Sequence, residues 1–435
     1  MVSLKLKEQV GMKMCKKKVL VISYYFPPLG MGGVQRVSKF VKYLTSFGWE
    51  PVVLTVKEIE YFAKDKSLLD EIPDEVKVFR SGSFDPLRLF FIFKKIFKLK
   101  KTFKKNFYPS ESKKFLSSIF FPDSKIGWFP FALAKGFIIS KKEKIDLIFS
   151  SSPPPTAHLL AYFLKILTGK KWVADFRDPW IDYRSLNYTT FFHKFLKEKT
   201  QEKIFKKADK LVTVNEKMAE KIKEKSLSAC DIIPSGYDKE DFSFQKDEKK
   251  DYFKIVYCGT LSPDADPEPF FSAFSNLITE DESLGSKIRL VHIGNFFGID
   301  LDELIKKYHL NQFIQRKDYL PHKKALKEMA SADLLLLLIS EGKDQISTGK
   351  IFEYLYAKKP ILAVVPPLGA TGELIKRFKR GRVISPEDID EIKEAIKFFF
   401  ERKDQPFIFD EKDLNLFERK YLTSKLAQIF DNLMR

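Results

Sequence analysis

Short apolar runs alternate with amphipathic stretches along most of the chain. The runs typical of strands in the first half are "KKVLVI", "PVVLTV", "DLIFSS", "KWVADF", "KLVTVN" and the start of "ACDIIPSGYD". A polar, charge-rich segment follows near residues 240–250, and the alternation restarts with "KIVYCGT", "IRLVHIG", "DLLLLLI" and "ILAVV". Strands separated by helices indicate parallel sheets covered by helices on both faces. The pattern therefore predicts an α/β protein with two Rossmann-like, doubly wound domains.

The domain boundaries follow from the same pattern. A chain of 435 residues is too long for one ordinary core. We place the first domain at residues 1–245 and the second at residues 246–410. Residues 411–435 form a predicted amphipathic helix that ends the chain.

Residues 88–121 interrupt the first domain with a basic and aromatic segment. On a helix its apolar residues would share one face and its lysines the other. Such a helix can lie in the interface of an anionic membrane. The alternative is a helix that packs on the core and exposes its lysines to solvent. The residues predicted to contact the membrane are Phe93, Lys94, Phe97, Lys98 and Lys101.

The net charge of +19 favours an anionic partner such as nucleic acid, anionic lipid or a phosphorylated substrate. Lys, Phe and Ile are abundant throughout, so biased codon usage is an alternative source of the charge. Three cysteines without metal-ligand spacing favour a reducing compartment. No apolar run approaches the roughly 20 residues that span a bilayer, and the N-terminus lacks the apolar core of a secretory signal. We expect a cytoplasmic protein.

The loop "YYFPPLGMGGVQR" follows the first predicted strand. In open α/β sheets, ligands bind beyond the carboxyl ends of the strands. Gly32 and Gly33 would let the backbone approach a ligand closely at a helix start. A dinucleotide fingerprint needs a third glycine where Gln35 stands, so hydride chemistry on a nicotinamide is disfavoured. A plain glycine turn is the alternative.

A second candidate anion site precedes a helix in the second domain, in "STGKIFEYLYAKKPIL". Hydroxyl, N–H and amine groups there would bind phosphate, from Ser347, Thr348, Gly349 and Lys350. A carboxylate so near would repel phosphate, but Glu353 suits the two hydroxyls of a vicinal diol. The ligand suggested is a ribose attached to a diphosphate. The alternative is an acid that merely complements the helix dipole.

Four segments together resemble the family 4 glycosyltransferases of the GT-B fold, in order and at suitable spacing over nearly the whole chain. They are "KVLVISYYFPPLGMGGVQR", "VADFRDPW", "IIPSGYDKEDF" and "GKIFEYLYAKKPIL". The resemblance is closest to the branch that assembles bacterial surface polysaccharides. It implies a C-terminal domain that binds a nucleotide sugar and an N-terminal domain that binds the acceptor. The last helix of this family usually crosses back onto the first domain.

The resemblance also implies roles for individual residues. Glu353 would bind the ribose, and Gly32 and Gly33 would approach the diphosphate. The family is typically metal-independent, so we expect no metal and no cofactor, and we read "DAD" at 264–266 as turn residues. Two departures are Gln345, where the family has a second glutamate, and the missing cation in "YCGTLSPDADPEPF"; Lys350 or Lys343 would compensate.

Two loops of the first domain carry catalytic candidates. "SSSPPPTAH" brings His158 to a helix start facing the expected cleft, although a lone histidine is more often structural. "ADFRDPW" ends a strand with Asp175, Arg177 and Asp178, where a carboxylate would orient acceptor hydroxyls and the arginine would pair with phosphate or with its acidic neighbours. An internal salt bridge that shapes the loop is the alternative.

The sequence therefore predicts a glycosyltransferase that moves a sugar from a nucleotide-sugar donor to an acceptor hydroxyl. The resemblance implies retention of anomeric configuration and an acceptor on a lipid-linked glycan, at the inner face of the plasma membrane. The expected partners are the nucleotide sugar, the glycan or lipid-linked acceptor and the anionic membrane surface, without nucleic acid. The alternatives are a nucleotide-sugar epimerase of the same fold and a basic RNA-binding protein.

Overall fold

The computed structural model describes residues 17–61, 63–96, 120–178, 191–226, 229–243, 251–344 and 349–435. Two separate parallel sheets lie in the two halves of the chain. The predicted boundary near residue 245 falls within residues 244–250, outside the described part.

The first half contains seven strands and six helices within the described residues. The strands are β1 Lys17–Ile22, β2 Trp49–Val56, β3 Lys77–Ser81, β4 Leu147–Ser152, β5 Lys171–Phe176, β6 Lys210–Thr213 and β7 Cys230–Ile232. The helices are α1 Gly32–Leu44, α2 Pro86–Ile96, α3 Phe129–Lys142, α4 Thr156–Thr168, α5 Phe191–Lys207 and α6 Glu216–Ser226. The sheet order is β3-β2-β1-β4-β5-β6-β7 and all pairs are parallel.

The second half repeats this architecture in its described residues. The strands are β8 Phe253–Cys258, β9 Ile288–Ile293, β10 Ile314–Lys317, β11 Leu334–Leu338, β12 Ile361–Val364 and β13 Gly381–Ile384. The helices are α7 Glu268–Glu280, α8 Glu282–Gly285, α9 Leu301–Lys307, α10 His322–Ala330, α11 Lys350–Tyr356, α12 Ala370–Arg377, α13 Ile389–Glu401 and, last, α14 Arg419–Leu433. The sheet order is β10-β9-β8-β11-β12-β13.

The apolar runs form the central strands of each sheet. β11 consists of five leucines and all five are buried, because helices cover both faces of the sheet. The strands β3, β10 and β13 were not predicted. They lie at sheet edges, and two of them, "KVFRS" and "IQRK", contain polar residues that break the apolar run. The predicted α/β class with two parallel sheets is confirmed.

The last helix, α14, packs against α1 of the first half although it follows the second half. Leu422, Leu426 and Phe430 are buried there. The ring of Phe430 lies 5.2 Å from that of Trp49 and 5.7 Å from that of Phe149. The chain thus crosses back, and α14 brings its first residue, Arg419, to the junction between the two sheets.

Candidate active site

Loops at the carboxyl ends of the two sheets meet at the domain junction. The backbone N–H of Met31, after β1, donates to the hydroxyl of Tyr319, after β10, at 3.2 Å. The backbone N–H of His322 donates to Asp65 Oδ2, after β2, at 2.7 Å. A Cβ atom at Gly30 would overlap the Tyr319 hydroxyl, so this close approach requires glycine. The candidate site lies beside these contacts.

Glu353 lies in the first turn of α11 and is 6% exposed. Its Oε1 atom is 3.0 Å from His322 Nε2 and 3.5 Å from an Nη atom of Arg419. Burial alone would raise the pKa of Glu353, but His322, Arg419 and Lys350 together hold it below its ordinary value. The second oxygen, Oε2, has no hydrogen bond to any residue in the described part of the chain. The carboxylate is therefore ionised, held by one oxygen and open at the other.

Lys350 is the first residue of α11, one turn before Glu353. Its amine lies 4.9 Å from the ring centre of Tyr257 and directly beside Gly259, where a Cβ atom would overlap it. Burial lowers the pKa of Lys350, and the thiol of Cys258 and Glu353 oppose this shift only in part. Among the described residues, no carboxylate forms an ion pair with this amine. The partly desolvated amine of Lys350 therefore lies at the end of β8. This is the segment, "YCGTLSPDADPEPF", in which the expected cation is missing from the sequence.

Three residues of this cluster were missed by the sequence reasoning: His322, Arg419 and Asp241. His322 Nδ1 lies 3.6 Å from Asp241 Oδ2, and all three side chains are buried. The only sequence signal for His322 was its place after a proline at the start of a helix. Asp241 lies in the segment "IIPSGYDKEDF", but no role was predicted for it there, and Arg419 lies 66 residues after Glu353 and outside every quoted segment.

The glycine-rich loop meets the loop after β5. The guanidinium group of Arg177 lies so close to Gly33 that a Cβ atom there would overlap it, whereas Gly32 has open space. Burial raises the pKa of Asp178; Arg177 opposes the rise and Asp175 adds to it. The structure thus brings Gly33, Arg177 and Asp178 together at the carboxyl edge of the first sheet.

Asp175, near the end of β5, was a candidate for orienting the acceptor, but both of its carboxylate oxygens form hydrogen bonds within the protein. Its two oxygens accept from Arg36 Nε at 3.1 Å and an Arg36 Nη atom at 2.8 Å, and Ser151 Oγ donates to it at 2.7 Å. The other Arg36 Nη atom donates to the carbonyl of Pro234 at 2.8 Å. This cluster ties α1, β4, β5 and the loop after β7 to each other.

His158 has no exposed surface in this structure. Trp172 Nε1 donates to Ser150 Oγ, so the Ser150 hydroxyl is free to donate to His158 Nδ1, 2.8 Å away. Burial lowers the pKa of His158 to about 3, although Asp175 opposes the shift. The imidazole is neutral and lies 4.2 Å from the ring of Phe176. Contact with a substrate would require these neighbours to move, so its catalytic role stays a prediction.

The remaining donor-binding candidates precede α11 in the sequence. Lys343 Nζ pairs with Asp264 Oδ1 at 2.6 Å, so its amine is engaged in this state. Gly349 immediately precedes α11 and faces Ser235. Ser347, Thr348 and Gln345 lie outside the described residues.

The acids at 264–266 occupy a tight turn. Ser262 and Ala265 bridge each other, and Asp266 accepts from the backbone N–H of Glu268 at 2.9 Å. In the part of the chain that the structure describes, no three His, Cys, Asp or Glu side chains are grouped to hold a metal ion. Metal independence stays a prediction.

Residues 238–413 match the family Glycosyl transferases group 1. This stretch contains Asp241, His322, Lys350 and Glu353. No curated protein matches the chain significantly.

Several solved structures share the fold of this chain. Sucrose-phosphate synthase from Thermosynechococcus elongatus has a TM-score of 0.64 at 13% identity, over 96% of this chain and 99% of that chain. Alr3699/HepE from Anabaena, in complex with UDP-glucose, has a TM-score of 0.63 at 12% identity, over 95% and 99% of the two chains. WaaG, a glycosyltransferase involved in lipopolysaccharide biosynthesis, has a TM-score of 0.60 at 15% identity, over 94% and 99%. The fold is GT-B, as predicted.

The GT-B fold leaves part of the predicted membrane segment on the surface. Phe93 in α2 is 51% exposed and Ile96 is 66% exposed. The side chain of Lys94 is not described, and Phe97, Lys98 and Lys101 lie outside the described residues. Among the described helices, none is both long and apolar enough to cross a membrane.

Proposed function

We propose that this protein is a glycosyltransferase that moves a sugar from a nucleotide-sugar donor to an acceptor hydroxyl. The observation that carries the proposal is that a carboxylate held by only one of its oxygens, Glu353, and a partly desolvated amine, Lys350, lie on one short helix. Glu353 Oε2 is open to accept hydrogen bonds from the two hydroxyls of a ribose. The Lys350 amine, one turn earlier, has no carboxylate partner among the described residues and suits a diphosphate. Both residues lie within the stretch that matches the glycosyltransferase family.

The same geometry supports the chemistry of transfer. The bond between the anomeric carbon and the diphosphate oxygen breaks, the acceptor oxygen bonds to that carbon, and the proton of the acceptor hydroxyl passes to the departing diphosphate or to water. Negative charge then develops on the departing diphosphate. The amine of Lys350 is partly desolvated, so it would stabilise this charge more strongly than an amine in bulk water. We infer that no metal is needed and, from the resemblance, that the configuration is retained.

Contacts between the two domains also support the proposal of sugar transfer. Tyr319 and His322 of the second domain already contact Met31 and Asp65 of the first. These contacts lie beside the candidate site, and exclusion of water protects a reactive donor from hydrolysis. An enzyme that transfers sugar to an acceptor benefits from such cover.

Glu353→Ala tests the assignment. We expect a thermal-shift screen of the common nucleoside diphosphates to identify one that binds, with UDP tried first because HepE was solved with UDP-glucose. In calorimetry, Glu353→Ala should weaken binding of that nucleotide by about 10- to 100-fold, since a hydrogen bond to a charged group contributes about 1.5–3 kcal/mol. Glu373→Ala, an exposed acid in α12 of the same domain, is the control and should bind normally. Normal binding by Glu353→Ala would contradict the proposal.

We further propose that the acceptor is a lipid-linked glycan used for surface polysaccharide and that the first domain docks on an anionic membrane. The support is an apolar surface. Phe84 is 64% exposed and its ring lies 4.8 Å from that of Phe131. Phe131 and Ile138 line a groove of about 650 Å³, which also has Lys135 and Lys142 in its walls. Exposed apolar patches edged by lysines are typical of surfaces that contact membranes.

Vesicle flotation tests the membrane proposal. The protein should float with vesicles that contain anionic lipid and stay behind with neutral ones. Neutralising Lys94, Lys98 and Lys101 should reduce flotation severalfold, because each lysine near anionic lipid contributes about 1 kcal/mol. The control neutralises three exposed lysines of the second domain, Lys306, Lys324 and Lys397. Equal flotation of both variants, or retention of RNA that depends on the first three lysines, would contradict membrane docking.

A further inference from the structure

His322 lies buried between two carboxylates that belong to different parts of the chain. Its Nε2 atom is 3.0 Å from Glu353 Oε1 in α11. Its Nδ1 atom faces Asp241 Oδ2 at 3.6 Å, in the segment that leads from the first sheet to the second. The side chain is 5% exposed. The imidazole ring therefore lies between the two carboxylates and can couple the position of Glu353 to that of Asp241.

The first domain fixes where His322 stands. Its backbone N–H donates to Asp65 Oδ2 at 2.7 Å, which caps the start of α10 from the opposite domain. Asp241 is itself anchored, because Lys39 of α1 contacts its Oδ1 at 2.6 Å. The histidine is therefore placed by contacts from the first domain as well as by α10.

The contact between His322 and Asp241 is incomplete. Neither His322 Nδ1 nor Asp241 Oδ2 has a hydrogen-bond partner in the described part of the chain. A distance of 3.6 Å is too long for a hydrogen bond, and a shift of about 0.7 Å would make one. Buried polar atoms without partners cost free energy, so this pair favours any state in which the gap closes.

Arg419 also contacts Glu353 but is less suited to orient it. Its Nε atom donates to the carbonyl of Gly236 at 3.2 Å, and one Nη atom donates to Gln35 Oε1 at 3.2 Å. That same Nη atom is 3.5 Å from Glu353 Oε1, at the limit of a hydrogen bond. Arg419 supplies charge, as does Lys350, whereas His322 makes the short directional contact.

We propose that His322 is a positioning residue for the nucleotide donor: it holds Glu353 Oε1 so that Oε2 meets the two ribose hydroxyls. The inference rests on the proposed function, because it assigns the diol of the nucleotide to Glu353. His322 itself touches neither the sugar nor the diphosphate in this scheme. Its effect should therefore appear only in the part of donor affinity that the diol contributes.

The test compares a nucleoside diphosphate with its 2′,3′-dideoxy analogue, which lacks the diol. UDP and dideoxy-UDP serve as the pair, or the corresponding pair for the base selected by the thermal-shift screen. Calorimetry on the wild-type protein should show about tenfold tighter binding of the nucleotide that carries the diol. In His322→Ala this ratio should fall close to one, while binding of the dideoxy analogue stays within about twofold of wild type.

Two conservative variants guard against a simple loss of folding. In His322→Gln the side-chain amide can reach the position of Nε2 and donate to Glu353, so the ratio should return. In His322→Asn the amide stands in for Nδ1 and reaches Asp241 but not Glu353, so the ratio should stay low. Circular dichroism should show equal helix content for both. Comparison of His322→Gln with His322→Asn therefore tests whether His322 positions Glu353, even if His322→Ala fails to fold.

The outcomes separate this inference from the proposed function. If the wild-type protein binds no nucleoside diphosphate, or binds both analogues equally, the assignment of Glu353 to a ribose fails and the inference fails with it. If the wild-type protein prefers the diol and His322→Asn keeps that preference, only the role of His322 is overturned. An equal loss of affinity for both analogues in the variants would also overturn it, because that result indicates general disruption.

Discussion

Two buried clusters of charged residues differ in how completely their atoms are paired. In the first domain, Arg36 and Asp175 form two hydrogen bonds to each other, and Ser151 and the carbonyl of Pro234 complete the set. At the domain junction, the Lys350 amine lacks an ion pair within the described residues. His322 Nδ1 and Asp241 Oδ2 there also lack hydrogen bonds among those residues. The first cluster is complete without a ligand, whereas the second keeps binding capacity.

The direction of the pKa shift does not separate the two clusters. Burial alone would raise the pKa of Asp175 and of Glu353, yet nearby cations hold both pKa values below the ordinary value. Each carboxylate is therefore ionised and buried. The two carboxylates differ in their hydrogen bonds. Both oxygens of Asp175 accept hydrogen bonds from Ser151 or Arg36, whereas Glu353 Oε2 accepts none from the described residues. In these two clusters, a carboxylate oxygen without a hydrogen bond therefore indicates a ligand site better than the direction of the pKa shift does.

Asp175→Ala should have the largest effect on stability. It leaves the Arg36 guanidinium buried without its carboxylate, and breaking a buried ion pair in this way costs about 3–5 kcal/mol. All four tryptophans lie in the first domain, at positions 49, 128, 172 and 180, so guanidinium unfolding followed by tryptophan fluorescence reports on this domain. Glu353→Gln, which removes the buried charge in the second cluster, should leave that transition in place. A loss below about 1 kcal/mol for Asp175→Ala would show that the first cluster is not structural.

His158→Asn should remove a pH dependence from the first domain. In the folded state burial lowers the pKa of His158 to about 3, whereas an unfolded histidine has a pKa of about 6.5. Above pH 6.5, His158 is neutral in both the folded and the unfolded protein. Below pH 6.5, it takes up a proton in the unfolded protein but stays neutral in the folded protein. Stability should therefore fall by about 1.4 kcal/mol for each pH unit between pH 6 and pH 4.

The test compares how the free energy of unfolding changes with pH in the wild-type protein and in His158→Asn. Guanidinium unfolding of wild type and His158→Asn at pH 7, 6 and 5, followed by tryptophan fluorescence, should diverge as the pH decreases. Asparagine keeps an oxygen where Ser150 donates but does not titrate in this range. Parallel curves would mean that His158 is protonated in the folded protein, which would return it to the list of candidate acids.

The central strands and the Glu353 helix were predictable because their signals are local. The leucine run of β11 and the stretch from Gly349 to Glu353 each occupy a few consecutive residues, so pattern and spacing suffice. Edge strands such as β10 carry no continuous apolar run, because one side of such a strand has no neighbour. The sequence therefore predicts the middle of each sheet better than its borders.

The partners of Glu353 were not predictable, because they are distant in sequence. His322 is 31 residues before it and Arg419 is 66 residues after it. Their convergence depends on the parallel sheet and on the return of α14 to the first domain. The burial of His158 was missed for a similar reason. A histidine at a helix start looks accessible until Phe176 and Trp172, from the neighbouring strand, are seen to cover it.

Lys350→Met should have the smallest effect on stability of the three changes and a clear effect on binding. Methionine fills much of the same volume over Tyr257 and removes a desolvated cation that has no ion pair among the described residues. The free energy of unfolding should stay within about 1 kcal/mol of wild type. Affinity for a nucleoside diphosphate should fall about tenfold or more, because a charge-assisted contact to phosphate is lost.

Comparison of ligands and of a second lysine sharpens this result. A nucleoside without phosphate should bind Lys350→Met and wild type equally, so the loss is confined to the diphosphate. Lys343→Met is the matched control, because its amine pairs with Asp264 in a partly exposed position, and such pairs contribute about 0–1 kcal/mol. We expect it to reduce diphosphate affinity less than Lys350→Met does. Equal affinity of Lys350→Met and wild type for the diphosphate would show that the unpaired amine is not a ligand site, and the contrast between the two clusters would then lose its functional meaning.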